Sequence, residues 1–309
     1  MKNVLVIGGS AFTGRVFSIQ ASRNGGFNLH VVNRGNAPMQ LDRVTQYKCD
    51  RHDAQMIAKL IPNISYDAVI DFCAYSAGDI EPLIGALGSM IKQYIFISTA
   101  SVYEPAEGFL DEDAPLFDMF PVDEDEVDED VVLCYIRDKI RLEQELTRAC
   151  TEAGVKYTIL RPSTIYGPFN YAPREPYYIE LIANNEAVPV PVDATARFSF
   201  VYVLDIAAAL MACIGDERAF DRAFNLAGEE ALTYPDLISE FERCNGAPIA
   251  VSEITVEQIE SENLPIPFPL TDDTLYDGSR FSKVFDFKYT PFQEGMEKTF
   301  KIFYKFFTS

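Results

Sequence analysis

MKNVLVIGGSAFTG, residues 1–14, is the stretch that decides the fold, because a short apolar run leads directly into a glycine-rich turn. The run VLVI at 4–7 is typical of a parallel strand that is buried on both faces. Gly8, Gly9 and Gly14 follow at the spacing of a dinucleotide-binding turn. The amphipathic segment beyond Gly14 predicts a helix whose N-terminus offers free N–H groups to a pyrophosphate. We therefore predict a cofactor-binding strand, turn and helix.

The composition predicts a soluble globular protein with a large excess of acidic residues. The chain has 309 residues, 48% of them hydrophobic, which is enough for one large α/β domain and a smaller appended one. Its net charge of −21 opposes nucleic acid and anionic membranes, because those partners are recognised by Lys and Arg. No apolar run approaches the roughly 18 residues of a membrane helix. We expect neither a nucleic-acid partner nor a membrane.

The cysteines and the start of the chain bear on compartment and on metal binding. Six cysteines are scattered along the sequence, with no CxxC pair and no histidine at ligand spacing. This pattern predicts reduced thiols rather than disulfides or a zinc site. The strand and glycine turn come first, so we expect no signal peptide and a cytoplasmic location. We expect no metal site.

Strands and helices alternate through the first half of the chain. Apolar runs that predict strands lie at 29–32, 67–72, 94–98, 157–160 and 223–226. Their alternation with helical stretches is typical of βαβ units. We predict an α/β protein with a Rossmann-type doubly wound parallel sheet and a smaller C-terminal substrate-binding domain.

The domain boundaries follow from a change of composition. Beyond Arg161 and Pro162 the sequence becomes richer in Pro and Tyr. We assign 1–165 to the dinucleotide-binding domain, with 196–230 returning to it. The segments 166–195 and 231–309 form the predicted substrate-binding domain.

Residues 104–130 interrupt this alternation. Thirteen of the 27 residues are Asp or Glu, and no Lys or Arg lies between Lys92 and Arg137. We interpret the stretch as a loop insertion that is solvated and self-repelling. A metal or partner site is the alternative interpretation.

Tyr135 and Lys139 lie four residues apart on the helix predicted for 131–153, so both side chains leave the same helix face. An ammonium beside a phenol lowers the phenol pKa from about 10 and makes it a general acid/base. The segment STAS at 98–101 offers hydroxyls at the carboxyl end of a strand, where α/β sheets bind ligands. An exposed helical pair without function is the alternative.

Ordered motifs along most of the chain resemble the extended short-chain dehydrogenase/reductases, the NAD-dependent epimerase/dehydratase family that acts largely on nucleotide sugars. The matching stretches are IGGSAFTG (7–14), VIDFCA (69–74), STASVY (98–103), YIRDK (135–139), RPSTIYGP (161–168), RFSFVYVLD (197–205) and NLAG (225–228). The resemblance implies a transient oxidation or a reduction in which the nicotinamide moves a hydride and Tyr135 moves a proton.

The resemblance also implies roles for individual residues. The catalytic set is Thr99, Tyr135 and Lys139. The cofactor-binding set is Gly8, Gly9, Ser10, Ala11, Phe12, Thr13, Gly14, Asn33, Arg34, Asp50, Cys73, Ala74, Tyr135, Lys139 and Pro162. The substrate-binding set is Thr99, Ser101, Asn170 and Arg197. Tyr166, Tyr171 and Arg174 are further candidates for the sugar pocket. For Arg197, which the resemblance assigns to the diphosphate, a structural salt bridge is the alternative.

Three positions depart from the family pattern. Ala11 replaces the middle glycine of the turn, and Ile7 replaces a threonine. A methyl group at position 11 should weaken or displace the cofactor. The acidic residue that ends the second strand in the family is here Asn33, followed by Arg34. An acid accepts from a ribose 2′-hydroxyl, whereas an arginine accommodates a 2′-phosphate. We expect NAD or NADP and favour NADP, although Arg34 can equally be a solvent-facing loop charge.

The leading hypothesis is an NAD(P)-dependent epimerase/dehydratase acting on a nucleotide sugar or a related hydroxyl or carbonyl compound. The first alternative is an NADP-dependent carbonyl reductase of the same fold. The second is an atypical non-catalytic or regulatory dinucleotide-binding protein. For partners we expect a small-molecule substrate and consider a homodimer.

Overall fold

Eleven strands and ten helices occur in the part of the chain that the computed structural model describes, residues 1–117, 130–262 and 264–309. The strands are β1 (Lys2–Ile7), β2 (Phe27–Asn33), β3 (Val44–Lys48), β4 (Ala68–Asp71), β5 (Gln93–Ile97), β6 (Lys156–Pro162), β7 (Thr164–Tyr166), β8 (Val188–Pro191), β9 (Phe200–Tyr202), β10 (Arg222–Leu226) and β11 (Val251–Ile254). The helices are α1 (Phe12–Asn24), α2 (Ala54–Leu60), α3 (Glu81–Leu87), α4 (Val131–Ala153), α5 (Glu175–Ala183), α6 (Val203–Cys213), α7 (Tyr234–Asn245), α8 (Val256–Glu262), α9 (Ser279–Phe285) and α10 (Phe292–Phe307).

Seven strands form one parallel sheet in the order β3-β2-β1-β4-β5-β6-β10. The strand order reverses between β1 and β4, which makes this the topological switch point where such sheets bind ligands. The predicted α/β fold with a doubly wound parallel sheet is confirmed, and the sequence strand at 4–7 is its centre.

Both faces of the sheet are covered, because successive side chains of a buried strand point to opposite faces. In β1, Val4 and Val6 pack in the apolar layer that contains α1 and α6. Leu5 and Ile7 pack in the other layer, with α2, α3 and α4. This two-sided burial explains why β1 is a continuous apolar run rather than an alternating one.

Helix α4 carries the predicted catalytic pair, and both of its ends are fixed by local sequence. The Asp130 side chain accepts hydrogen bonds from the backbone N–H groups of Val132 and Leu133, which caps the N-terminus. Gly154 has φ 69°, a left-handed conformation that suits the position after a helix. The helix predicted for 131–153 and its glycine stop are confirmed.

The C-terminal part has a third apolar core that is rich in aromatic rings. Strands β8 and β11 form one small parallel pair and β7 and β9 form another. Rings such as Phe198, Phe200 and Phe268 pack against one another with centroids 5.2–5.6 Å apart. Strand β10 lies in the main sheet, beside β6. The domain boundaries themselves stay a prediction.

The acidic stretch is described only as far as residue 117, and its part at 118–129 lies outside the described residues. The interpretation of a fully solvated loop is wrong for Leu110 and Glu112. The Leu110 backbone pairs with that of Leu275 and Asp277 in the C-terminal part. The Glu112 side chain is buried, accepts a 2.9 Å hydrogen bond from the Asn225 N–H and lies 3.1 Å from the Arg280 guanidinium. This segment is therefore docked onto the fold.

In the described ranges, the helices are too short or too polar for any of them to span a membrane.

Candidate active site

A cleft of about 950 Å³ lies along the carboxyl edge of the sheet, at the switch point. The glycine turn after β1 forms one wall, and the ends of β2, β4, β5 and β6 form the floor. The predicted site residues that line this cleft are Gly8, Gly9, Ser10, Ala11, Phe12, Thr13, Gly14, Asn33, Arg34, Asp50, Cys73, Thr99, Ser101, Tyr135, Lys139, Pro162 and Asn170. The fold thus brings together residues as far apart in sequence as Gly8 and Asn170.

The glycine turn has a geometry that side chains would disturb. Gly8 and Gly9 have φ angles of 95° and 71°, in the left-handed region that favours glycine. A Cβ on Gly14 would lie 2.6 Å from the Gly9 Cα, so this glycine permits close packing of α1 against the turn. Ala11 has φ −128° and ψ 150°, an extended conformation that needs no glycine. The conformation therefore tolerates Ala11, and its predicted effect on cofactor binding stays a prediction.

Several buried polar atoms of residues that line the cleft have no hydrogen-bond partner among the residues that the structure describes. They include the Asn33 Nδ2 and the Ser163 Oγ, and also nitrogens of Arg51, whose guanidinium is ion-paired with Asp71 and Asp79. The Asn33 Oδ1 accepts a 2.9 Å hydrogen bond from the Gly35 N–H, which fixes the amide orientation. Because buried polar groups are normally paired, the Asn33 and Ser163 atoms indicate a polar ligand. With the glycine turn, they fit a dinucleotide.

The cleft end next to β2 and β3 carries charged groups. Arg34 is exposed and lines the cleft. The Asp50 carboxylate accepts hydrogen bonds from the backbone N–H of His52, at 3.0 Å, and from its ring Nδ1, at 2.7 Å. These bonds and the nearby Arg34 charge lower the Asp50 pKa. Asp50 is therefore an ionised acceptor at a position that the family resemblance assigns to the cofactor.

Cys73 and Ala74 follow β4, but only Cys73 lines the cleft. The Cys73 Sγ lies 3.3 Å from where a Cβ on Gly8 would lie, and burial raises the pKa of the thiol to about 12. Cys73 is thus a neutral wall of the cleft. Ala74 is completely buried and does not line it; its carbonyl instead accepts a hydrogen bond from Lys139.

Lys139 is held firmly below the cleft floor. Its side chain is 4% exposed, and its ammonium donates to the carbonyls of Ala74 and Ile97, both at 3.0 Å. The ammonium lies 5.8 Å from the Tyr135 ring centroid and 4.7 Å from that of Phe96. Burial lowers the Lys139 pKa to about 8, an effect that the nearby Asp71 and Glu143 carboxylates oppose. The ammonium is fixed, and one of its three protons is left for a ligand.

Tyr135 and Thr99 both line the cleft, where the Thr99 hydroxyl donates a 3.3 Å hydrogen bond to the Ser101 hydroxyl. Desolvation in the cleft raises the Tyr135 pKa; the Thr99 hydroxyl and the Arg174 charge oppose that rise. The predicted lowering of this pKa by Lys139 is wrong for this arrangement, because the two backbone carbonyls hold the ammonium. Near neutral pH the Tyr135 phenol is therefore a proton donor.

The predicted substrate residues have partners of their own. The Ser101 hydroxyl accepts a 3.3 Å hydrogen bond from the Thr99 hydroxyl, and the Ser101 N–H donates to the same Thr99 oxygen at 3.2 Å. The Asn170 amide donates to both carboxylate oxygens of Glu175 at 2.9 Å, so it anchors its own loop. Arg197 forms a bidentate contact with Asp273, at 3.1 and 2.5 Å, and does not line the cleft. The structural salt bridge considered for Arg197 is present; diphosphate binding by this residue stays a prediction and requires the pair to open.

The loop between β7 and α5 closes over the glycine turn. The Tyr171 ring meets the Phe12 ring edge to face at 6.2 Å, and the Arg15 guanidinium lies 5.2 Å from the Phe169 ring centroid. Tyr171 is 76% exposed, so it forms the rim of the cleft. The contact brings the candidate cofactor wall and substrate loop together.

Several lining residues were not singled out from the sequence, namely Asn36, Arg51, Tyr75, Ser163, Thr274 and Tyr276. Ser163 follows Pro162 within a recognised motif, so its position was a usable signal. Thr274 and Tyr276 come from the C-terminal part through contacts with 197–199 and 110. No local pattern marks such long-range pairings.

Comparisons with known proteins agree with this fold. Residues 81–227 match the family model described as "NAD dependent epimerase/dehydratase family". The chain is 28% identical over 261 residues to the Arabidopsis thaliana chloroplast stem-loop binding protein of 41 kDa b; the match covers 80% of the chain and 64% of that relative. The chain therefore spans less than two thirds of the relative's length.

Two solved structures show the same architecture. UDP-glucuronic acid 4-epimerase from Bacillus cereus, in complex with UDP-glucuronic acid and NAD, is 17% identical with a TM-score of 0.77, covering 98% of this chain and 99% of that one. UDP-glucose 4-epimerase from Thermotoga maritima, with UDP-glucose, is 20% identical with a TM-score of 0.75, covering 98% and 99%. At these identities the likeness shows the fold.

Proposed function

We propose that the chain, whose residues 81–227 match the NAD-dependent epimerase/dehydratase family model, is an NAD(P)-dependent enzyme of that family acting on a nucleotide sugar. One observation carries the proposal: Thr99, Tyr135 and Lys139 meet in a cleft beside the glycine turn. A non-catalytic dinucleotide-binding protein has no need of this constellation.

When bound, the dinucleotide supplies a hydride acceptor and donor. Thr99 and Tyr135 hold the reacting oxygen of the substrate between their hydroxyls, and Tyr135 transfers the proton at its phenol oxygen. Lys139 keeps a positive charge below this point and offers its remaining proton to a ribose hydroxyl. The Phe12–Tyr171 contact narrows the cleft mouth and helps to exclude water.

For the choice between NAD and NADP, the proposal rests on Asn33 and Arg34. The unpartnered Asn33 Nδ2 and the Arg34 guanidinium are donors, and the described residues place no carboxylate at the end of β2 to accept from a 2′-hydroxyl. Donors suit a 2′-phosphate. The Bacillus cereus structure contains NAD, so NADP is favoured by these two residues of the chain alone.

The test is turnover of a panel of UDP-sugars by the purified protein with NAD or NADP, followed by proton NMR of the anomeric signals. The expected result is a new sugar signal that Tyr135→Phe abolishes. Mass spectrometry of any dinucleotide released by denaturation identifies the cofactor. No conversion of any panel member by protein that retains a dinucleotide would contradict the proposed activity.

The amount of NAD(P)H left at the end of the reaction distinguishes the reductase alternative from an epimerase. An epimerase returns the hydride, so its NAD(P)H absorbance at the end is unchanged. A reductase consumes one NADPH for each carbonyl reduced, which is read directly by loss of that absorbance.

A second candidate function comes from the curated relative, whose name describes stem-loop binding. The net charge of −21 opposes it, because phosphates are bound by cations. Fluorescence anisotropy with a labelled RNA hairpin tests it over a salt series. Saturable binding that weakens steeply with salt would favour this function. The homodimer and the cytoplasmic location stay predictions.

A further inference from the structure

The Tyr75 side chain lies in the cleft, and the proposed mechanism assigns it no role. Tyr75 follows Ala74 in the loop after β4, lines the cleft and is 53% exposed. Its ring centroid lies 5.0 Å from the Lys139 ammonium. A cation within about 6 Å of a ring centroid is attracted to the face of the ring. Tyr75 therefore contacts the positive charge of the candidate site.

Three aromatic rings lie close to the Lys139 ammonium, and Tyr75 is the most exposed of them. Phe96, on β5, is fully buried with its ring centroid 4.7 Å from the ammonium. Tyr135, on α4 like Lys139 itself, is 40% exposed with its centroid at 5.8 Å. Lys139 lines a cleft of about 950 Å³ and yet is only 4% exposed. The rings and the two carbonyls that accept its protons therefore separate the ammonium from solvent.

The Asp79 carboxylate fixes the backbone that carries the Tyr75 ring. Its Oδ2 accepts hydrogen bonds from the N–H groups of Tyr75, at 2.9 Å, and Ser76, at 3.1 Å. Its Oδ1 lies 2.7 Å from the Arg51 guanidinium. The Tyr75 hydroxyl, by contrast, donates only a long 3.4 Å hydrogen bond to the Phe72 carbonyl. The backbone rather than the hydroxyl therefore places the ring beside the ammonium.

The charges around Lys139 leave room for such a contribution. Burial lowers the Lys139 pKa to about 8, because a dry environment disfavours the ammonium. The neighbouring groups that oppose this lowering when they are ionised are Asp71 on β4, Glu143 on α4, and Cys73 and Asp79 in the loop after β4. Asp71 and Glu143 are each already paired with a buried arginine, at 2.6 and 2.5 Å, so their charge is shared. The attraction of the ring faces adds to these groups.

We propose that Tyr75 is a positioning residue whose ring covers the Lys139 ammonium and keeps it charged and in place for the ribose of the dinucleotide. This inference rests on the proposed function, which needs a fixed cation below the reacting groups. The face of the ring carries the effect, and the hydroxyl does not. Phenylalanine should therefore replace Tyr75 without loss, whereas leucine, which is apolar but has no π electrons, should not.

The test measures the Lys139 pKa directly, in protein whose lysines carry ¹³C at Cε. The Cε chemical shifts are followed by NMR from about pH 6 to 11, and the signal missing from Lys139→Met identifies Lys139. The compared variants are Tyr75→Leu, Tyr75→Phe and Phe109→Leu. Phe109 is an aromatic residue of similar exposure, 48%, that does not line the cleft and serves as the matched control. A thermal melt shows whether each variant is folded, and Tyr75→Met replaces Tyr75→Leu if that variant is not.

In Tyr75→Leu the Lys139 pKa should fall by roughly 0.4–1.5 pH units, which is the size of a cation–π attraction expressed as a change of pKa. Tyr75→Phe and Phe109→Leu should match the wild type. An unchanged pKa in Tyr75→Leu would overturn the inference. A higher pKa would also overturn it, because it would mean that the ring only keeps water away from the ammonium.

Dinucleotide titrations on the same variants give a second readout. As pH rises, Tyr75→Leu should lose affinity at a lower pH than the wild type does, because its Lys139 loses the proton earlier. An affinity that Tyr75→Leu leaves unchanged at every pH would overturn the inference, whatever the NMR result. If both readouts follow the ring but no nucleotide sugar is converted, the proposed function fails and the role of Tyr75 stands.

Discussion

The Ser98 hydroxyl donates a 2.6 Å hydrogen bond to the Glu143 carboxylate. Ser98 directly precedes Thr99, and Glu143 lies one helical turn after Lys139. The same carboxylate forms a buried ion pair with Arg161, at 2.5 and 3.0 Å. One acid therefore ties α4 to the carboxyl ends of β5 and β6, and it fixes the distance between the groups that form the candidate site.

Glu143→Gln should lower the free energy of unfolding by about 3–5 kcal/mol, because it leaves the buried Arg161 guanidinium without its counter-charge. Urea unfolding followed by circular dichroism measures the effect. Glu81→Gln is the matched control, since Glu81 pairs with Arg148 at a similar distance, 2.6 Å, but on the exposed surface. The control should change stability far less. Equal losses in the two variants would mean that the Glu143 network is not the buried anchor described here.

Tyr135→Phe should reduce turnover by roughly 10²- to 10⁴-fold, because it removes the proton that the phenol transfers. Cofactor affinity should stay close to that of the wild type, since only one hydroxyl is lost. The measurement is a turnover assay beside a cofactor titration. Lys139→Met should lose activity and also weaken the cofactor, given the ammonium's fixed place below the cleft. Full activity in Tyr135→Phe would mean that the family chemistry does not operate here.

The sequence predicted best those parts of the site that depend on local pattern. The strand at 4–7, the glycine turn and the glycine stop at Gly154 each follow from neighbours within one element. The predicted pKa of Tyr135 failed for a different reason. The carbonyls of Ala74 and Ile97 that hold Lys139 are 65 and 42 residues away in sequence. Every residue has a backbone carbonyl, so the sequence pattern does not show which carbonyls will accept hydrogen bonds from Lys139.

The docking of Glu112 and the Arg197–Asp273 pair illustrate the same limit. The partners of Glu112 are Asn225 and Arg280, and those of Arg197 lie 76 residues further along the chain. The count of charges along 104–130 predicted repulsion among the carboxylates. That count does not include Arg280, which is distant in sequence and which the fold places beside Glu112. Tertiary pairing decides which carboxylates are solvated.

The raised pKa of Glu175 should make the free energy of unfolding decrease as pH rises from about 4.5 to 7. Its pKa is raised from 4.5 to about 7 by burial, so across this range the unfolded chain loses the proton while the folded chain keeps it. Stability falls with pH where the folded state binds more protons, by up to about 3 kcal/mol here. Urea unfolding of the wild type and Glu175→Gln at several pH values measures the difference. An unchanged slope in the variant would assign the effect to other groups.

Arg34→Ala should weaken NADP by about tenfold or more and leave NAD nearly unchanged, because only NADP carries the 2′-phosphate that a guanidinium can bind. Fluorescence titration with both dinucleotides gives the two affinities. Arg23→Ala, a control on the last turn of α1, should alter neither. Equal losses for NAD and NADP would show that Arg34 contacts a group common to both.

Gly14→Ala should abolish dinucleotide binding and destabilise the protein, because the new Cβ would lie 2.6 Å from the Gly9 Cα and 3.0 Å from its backbone nitrogen. Neither backbone atom can move without displacing the turn that faces the pyrophosphate. Gly85→Ala is the control. This residue lies within α3 with no atom within 4 Å of an added Cβ, so the change should stabilise the chain by roughly 0.5–1 kcal/mol. Dinucleotide titration and thermal melts on both variants test this contrast. The atoms nearest to the new Cβ belong to the Gly9 backbone, so the turn itself must shift to relieve the contact. Undiminished dinucleotide binding by Gly14→Ala would therefore show that the glycine turn is not part of the cofactor site.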